Sequence, residues 1–136
     1  MAYAGYLMRI GDFDITGARC IQFASYEVTR KVQDLDPYRD ANGVLHRNTL
    51  QNVPLTVQFD LMPGLTNTEL GEFLGGIQRN YINALERKVL ATVYVPELDD
   101  YITQEMYMAE PAIKIRSITK DNVINYEAVQ IKFVGY

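Results

Sequence analysis

The chain has 136 residues, 48% of them hydrophobic and 22% charged. That is the size of one domain on a scale of roughly 100–200 residues each, with too much apolar content for a disordered linker. Thirteen basic residues against seventeen acidic ones leave a net charge of −4, which argues against a duplex binder, because neutralising phosphates needs a Lys/Arg surplus.

No apolar run is long enough to span a membrane as a helix. The N-terminus lacks the basic segment, apolar stretch and cleavage site of a signal peptide, so it reads as a first strand of the mature protein. Met8–Ile10 and Phe13–Ile15 flank Gly11-Asp12, a candidate two-residue turn. Ile21 and Phe23 then share one parity while Tyr26 and Val28 take the other. A period-2 strand buries both sets only with an inserted residue, so a bulge or corner is expected near Ala24-Ser25. Corners of this kind fold a sheet over into a barrel or an orthogonal sandwich.

Residues 31–52 carry no core-directed period and mix both charge signs, with Asn42-Gly43 as a strong turn signal. Such a long unpatterned stretch in a compact domain is usually functional or disordered. We read it as a protruding arm that finds a partner surface, with Asp34, Asp36, Tyr38, Arg39, Asp40, Asn42, Leu45, His46 and Arg47 as its candidate contact residues. A mobile solvated loop is the competing account.

From Val53 to Leu61 apolar residues alternate with Thr56, Gln58 and Asp60, the pattern of a strand with one wet face. Thr66 and Glu69 then form a capping box, and Leu65 and Leu70 are placed as a hydrophobic staple. Leu70, Phe73, Leu74, Ile77, Tyr81 and Leu85 follow at helical spacing, which predicts one helix over about 67–86. Gly71, Gly75 and Gly76 weaken it, each by about 1 kcal/mol relative to alanine. One explanation is a close approach of another backbone against Gly71 and Gly75; the other is a marginal helix held by its packed stripe.

Leu90–Val95 and Tyr101–Met108 flank the polar turn 96–100 as a hairpin. Ile113–Arg116 and Val129–Phe133 are expected to pair as a second hairpin joined through Lys120-Asp121-Asn122. The fold class is therefore mainly β (α+β): a single-domain antiparallel β-sandwich or barrel with one flanking α-helix and a long arm.

Catalytic chemistry finds little support. A nucleophile needs a base in hydrogen-bond reach, and only His46 is available to Ser25, Ser117 or Cys20, none of them in a nucleophile elbow. Cys20 sits beside Ile21 and reads as a small core residue. Glu97, Asp99 and Asp100 read as a solvated hairpin tip. The Asp40-Ala-Asn-Gly43 stretch lacks the full calcium-loop spacing and the distant bidentate glutamate. No enzyme activity, cofactor or metal is expected. What remains is interaction. Interfaces favour Tyr, Met and Arg, and Tyr101, Met106, Tyr107 and Met108 gather on one strand, with Tyr3, Tyr6 and Tyr136 at the chain ends. Burial of part of that strand inside the monomer is the alternative.

Three stretches resemble a family of short proteins encoded in the tail-gene region of long-tailed phages and prophages of Gram-positive bacteria. They are the opening Met-Ala-Tyr-Ala-Gly-Tyr-Leu-Met-Arg-Ile, the segment Tyr38-Arg-Asp-Ala-Asn-Gly-Val-Leu-His-Arg47, and Tyr94-Val-Pro-Glu-Leu-Asp-Asp-Tyr-Ile-Thr-Gln-Glu-Met-Tyr-Met108. The resemblance implies a structural role in the virion tail. By analogy of fold, tail-tube and distal-tail proteins combine a β-sandwich or barrel, one helix and a long loop reaching a neighbouring subunit. The implied partners are copies of the chain itself, in a ring expected to be six-fold, and other tail proteins such as the tube, the tape measure and tip or fibre proteins. No sequence-specific nucleic acid and no membrane is implied. An acidic lumen would let a genome slide instead of stick. The distal ring or tube tip is the expected position, with a tube subunit or tail-completion ring as alternatives and assembly in the host cytoplasm. A carbohydrate-binding host-recognition module is the alternative of another class; a Tyr-lined groove beside Asp99 and Asp100 would mark it.

Overall fold

The computed structural model describes residues 3–16, 21–49, 51 and 53–136. Arg19 and Cys20, including the expectation that Cys20 is a core residue, lie outside them. Seven strands form one antiparallel sheet: β1 (Met8–Ile10), β2 (Phe13–Asp14), β3 (Ile21–Arg30), β6 (Leu55–Leu61), β7 (Lys88–Val95), β8 (Asp100–Met108) and β11 (Gln130–Gly135). Their spatial order is β2-β1-β7-β8-β11-β6-β3. Two small ribbons stand apart from it: β4 (Tyr38–Arg39) with β5 (Leu45–His46), and β9 (Ile115–Ile118) with β10 (Ile124–Tyr126). Among the described residues one helix forms, α1, covering Asn67–Gln78.

The local signals explain much of this. Gly11 takes φ +58° in the two-residue turn that pairs Ile10 with Phe13, a conformation glycine adopts without steric cost. In β6 Leu55, Val57, Phe59 and Leu61 are buried while the intervening polar residues stay half-exposed, as period 2 requires. The capping box forms as expected: Glu69 N–H donates to Thr66 Oγ1 and Thr66 N–H to Glu69 Oε1, each at 3.3 Å. Leu65 and Leu70 are both buried beside it.

The bulge is real and wide. Gln22 pairs with Asp60 and Glu27 with Gln58, so Phe23 to Tyr26 stand opposite Phe59 alone. Ser25 bridges the gap, its hydroxyl donating to the Gln22 carbonyl at 2.6 Å and accepting from Asp60 N–H at 2.8 Å. Beyond it Tyr26 and Val28 pack on the core. Phe23 does not share the buried side of Ile21 as its parity implies; it is 54% exposed, because the strand leaves its regular register straight after Gln22.

Two expectations on extent and pairing are corrected. The helix ends at Gln78, not near residue 86. Asn80 and Asn83 end it by offering side-chain bonds in place of the helical ladder: Asn80 Nδ2 donates to the Gly76 carbonyl at 2.8 Å, and Asn83 Oδ1 accepts from Leu85 N–H at 3.1 Å. Leu85 is consequently 98% exposed and no part of the packed stripe. The last hairpin also differs: Ile115–Ile118 pairs with Ile124–Tyr126, while β11 runs between β6 and β8 in the large sheet. Val129, Ile131 and Phe133 are buried there.

Core packing lies between the helix and one face of the sheet. Phe73 meets Phe13 and Phe59 edge-on at 5.7 and 6.3 Å, and Tyr26 stacks on Phe59 at 5.9 Å. Edge-to-face geometry of this kind adds to area burial. Among the helix glycines it is Gly76, not Gly71 or Gly75, that permits a close approach: a Cβ there would stand 2.6 Å from the Phe13 ring, whereas nothing lies within 4 Å of one at Gly71. The neighbour is a side chain and not a backbone. The sheet rolls around this core so that Tyr26 Oη donates to the Leu7 carbonyl at 3.5 Å and Arg30 reaches Glu97 at 3.7 Å. Its edge strands β2 and β3 do not pair with each other, so the roll is an open, sandwich-like one and not a closed barrel.

Candidate assembly surfaces

The register divides the molecule into two ends. At one end lie Arg30 beside Leu55 and Val95 beside Asp100, hence the root of the arm and the β7–β8 turn. At the other lie Ile21 beside Leu61 and Gln130 beside Asp60. From there the chain passes to Gly64 and Leu65, which bond β10 through Gly64 N–H to the Tyr126 carbonyl and Tyr126 N–H to the Leu65 carbonyl. The β9–β10 ribbon therefore sits at the end opposite the β7–β8 turn.

The arm is a built hairpin and not an unpatterned loop. Tyr38 pairs with His46 and Arg39 with Leu45, and Asp34 bridges to Thr49 lower down. Polar contacts hold it. Asp40 Oδ1 accepts from Asn42 N–H at 2.9 Å and Val44 N–H at 3.0 Å, closing the tip. Asp40 Oδ2 lies 2.9 Å from His46 Nε2, and the His46 ring stacks on Tyr38 with centroids 4.8 Å apart. The bond to His46, before those from Val44 and Asn42, holds the Asp40 carboxyl below the usual aspartate range. Arg47 Nε donates to Asp34 Oδ2 at 3.0 Å, and Arg39 donates to the Gly43 carbonyl at 2.9 Å. Its apolar side chains gain nothing from the core: Leu35, Tyr38, Val44 and Leu45 are exposed. Asp36 and Asn42 are exposed as well. All nine arm residues named from the sequence thus lie on one projecting ribbon.

The second group separates by face. Met106 and Met108 are buried in the monomer core and cannot serve as surface contacts, which corrects the reading of them as interface residues. Their parity places them with Val89 and Phe133. Tyr101 and Tyr107 alternate to the outer face. Tyr107 lies beside Tyr136 with centroids at 5.7 Å. Tyr101 belongs to a cluster that spacing in the sequence does not reveal, because its members come from two distant segments. Tyr6 lies 4.7 Å and Tyr94 5.4 Å from the Tyr101 ring, Tyr3 lies 5.5 Å from Tyr94, and Arg9 sits 4.3 Å over Tyr6. Tyr101 Oη accepts from Ala4 N–H and donates to the Tyr6 carbonyl, both at 2.8 Å. Tyr94 Oη donates to Asp99 Oδ1 at 2.5 Å, the leading reason its own pKa is raised. The cluster clasps the N-terminal segment across the sheet.

The described catalytic candidates stay apart. Ser25 is committed to the bulge, Ser117 Oγ accepts from Asn125 at 3.4 Å, and His46 is held by Asp40 out on the arm. A shallow cleft at the helix C-terminus is lined by Asp12, Phe13, Gly76, Arg79 and Asn80, with no nucleophile–base pair. Among the described residues no three His, Cys, Asp or Glu side chains converge as metal ligands.

Sequence reasoning missed the β9–β10 ribbon as a surface. Ile113 just before it and Ile115 and Ile118 on it are 43%, 57% and 63% exposed, interleaved with Lys114, Arg116 and Lys120. The alternation was legible, but its wet face extends to both sides.

Comparison with solved structures finds the same fold in a chain of a structure described as "Tail of empty GTA particle computed with helical refinement, C6 symmetry". The two match with a TM-score of 0.53 over 99% of this chain and 95% of that one, at 9% sequence identity. At that identity the likeness is one of fold. No curated protein matches the chain. Its sequence matches a family description end to end, over residues 1–136: the chain belongs to DUF6711, a family of unknown function.

Proposed function

We propose that this chain is a structural subunit of a phage-type virion tail, assembled in the host cytoplasm into a homo-oligomeric six-fold ring at the distal tail or the tube tip. The observation that carries the reading is the near end-to-end fold match to a chain of a C6-symmetric tail particle. The resemblance to proteins of long-tailed phages and prophages of Gram-positive bacteria points the same way. A tube subunit or tail-completion ring is the alternative within the class.

The mechanism is mechanical. The rolled sheet and its helix supply a rigid block, and the arm projects from one end as a ribbon whose shape is set by its own polar contacts. Such a ribbon is pre-organised, so docking it on a neighbour costs little ordering entropy. Its exposed Leu35, Tyr38, Val44 and Leu45 offer apolar area that the monomer leaves in water, about 25 cal/mol for each Å² that a neighbour covers. Heterologous contacts repeated around an axis close a ring. Tube, tape-measure and tip proteins would meet its two faces. An acidic chain would line a lumen that repels phosphate, so a genome passes without sticking.

Mass measurement by light scattering tests the ring. A species of six 15.5 kDa copies is expected, and a monomer at all concentrations would count against it. A variant lacking Asp34 to Arg47 is expected to fold and to fail to assemble; full assembly by it would sink the role of the arm.

One observation favours a second reading, a carbohydrate-binding module: tyrosine rings do gather beside Asp99. Their geometry weakens it. The rings pack on one another, and the hydroxyls of Tyr94 and Tyr101 are spent on Asp99 and on the backbone, so two of the polar groups a sugar would need are already engaged. Glycan-array binding lost on Tyr94→Ala would restore it.

A further inference from the structure

We propose that the basic isoleucine ribbon β9–β10 is a docking surface for the acidic β7–β8 turn of a second copy of this chain. The inference deepens the ring reading and rests on it.

Three observations meet here. The ribbon and the segment leading into it expose Ile113, Ile115 and Ile118 between Lys114, Arg116 and Lys120, and none of those three cations forms an ion pair among the described residues. The acids of the ribbon region are Asp121 in its turn and Glu127 beyond it. The β7–β8 turn has the opposite character: Glu97, Leu98, Asp99 and Asp100 are all exposed, with Arg30 the one cation among the described residues paired to it, 3.7 Å from Glu97. The strand register then sets these two surfaces at opposite ends of the sheet, so one copy cannot satisfy them within itself.

Opposite charge at opposite ends is the arrangement that a head-to-tail contact needs. Turn-to-turn or ribbon-to-ribbon pairing would set like charges together, which disfavours a two-fold dimer and selects the heterologous contact. Leu98 of one copy would lie among the isoleucines of the next, with the cations around them meeting Glu97 and Asp100. Desolvated apolar contact supplies affinity, and the charges supply direction.

The test uses two charge-reversed full-length chains, one K114E/R116E/K120E and one E97K/D100K. Asp99 is kept because it holds the Tyr94 hydroxyl. Self-association is read at low salt by light scattering and by concentration-dependent NMR shifts at residues 96–100 and 113–120, with thermal melts to confirm folding. Each variant alone is expected to associate at least ~10-fold more weakly than wild type, the scale of lost charge complementarity. An equimolar mixture of the two is expected to recover association, because every alternating contact again joins opposite signs. A chain carrying both sets is expected to do the same. Wild-type association matched by either variant alone, or a mixture that fails to recover, overturns the contact and leaves the ring reading standing. A wild type with neither a mass increase nor shifts overturns both.

Discussion

Two hairpins leave the same end of the molecule and are held by different physics. β7–β8 is paired at eight successive positions from Lys88–Tyr107 to Val95–Asp100, and Val89, Ala91, Val93 and Met106 on one face are sealed in the core. The arm is paired at Tyr38–His46 and Arg39–Leu45 with one bridge below, and its side chains stay in solvent. The first is stabilised by burial, at roughly 1.5–3 kcal/mol for each large apolar side chain. The second depends on Asp34 and Asp40 accepting bonds across the ribbon, where competing water leaves each of them weak. A hairpin can therefore be part of a fold or an appendage carried by it, and turn signals alone do not separate the two.

The sharpest way to break the comparison is to attack the shared core. Phe59→Ala removes the ring that Tyr26 and Phe73 pack against and should cost about 3–5 kcal/mol, read as a fall in the urea midpoint; a loss below 1 kcal/mol would mean that the aromatic layer is not the centre of the fold. Next in size is Gly76→Val, which forces the Phe13 ring aside and should destabilise by about 1–3 kcal/mol. Its partner Gly71→Ala, with open space around it, should stabilise by about 0.5–1 kcal/mol through helix propensity. Ser25→Ala strips the bulge of its bridge and leaves Asp60 N–H without its acceptor, for about 1–3 kcal/mol; hydrogen exchange at the Asp60 amide should quicken before the global midpoint moves.

The smallest effect belongs to the arm. The folded-state pKa of Asp40 is depressed, chiefly by His46. Its contribution to the order of the tip is therefore present above the ordinary aspartate pKa and is lost as pH falls through the lower, folded value. Ring-current shifts of Tyr38 and His46 should accordingly survive down through the normal aspartate range and collapse only below it, with β7–β8 amides unmoved at the same pH. Collapse already at the normal range would mean that Asp40 carries no clasp.

Signals confined to a few neighbouring residues were legible in the chain. Thr66 and Glu69 announce the helix start, Gly11-Asp12 the first turn, and the parity change after Phe23 the bulge. The helix end was less so, because Asn80 and Asn83 divert the backbone through bonds whose geometry depends on Lys88 and Glu86 nearby. In the arm, the stretch was read as an unpatterned loop and its hairpin was missed, since stacking of His46 on Tyr38 is a cross-strand contact with no period to betray it. Met106 and Met108 were misplaced because methionine suits cores and interfaces alike.

Alternation and turn chemistry by themselves determined the strands of the large sheet, the apolar side of β6, and where the helix begins; these are set by backbone sterics within a few residues. Only tertiary structure decided which strand meets which. β11 leaves its expected hairpin to lie between β6 and β8, the ribbon β9–β10 is left in solvent, and charge of opposite sign comes to rest at opposite ends. Period 2 specifies a face but not a partner. The partner is chosen by the one arrangement that closes the core around Phe59 and Phe73.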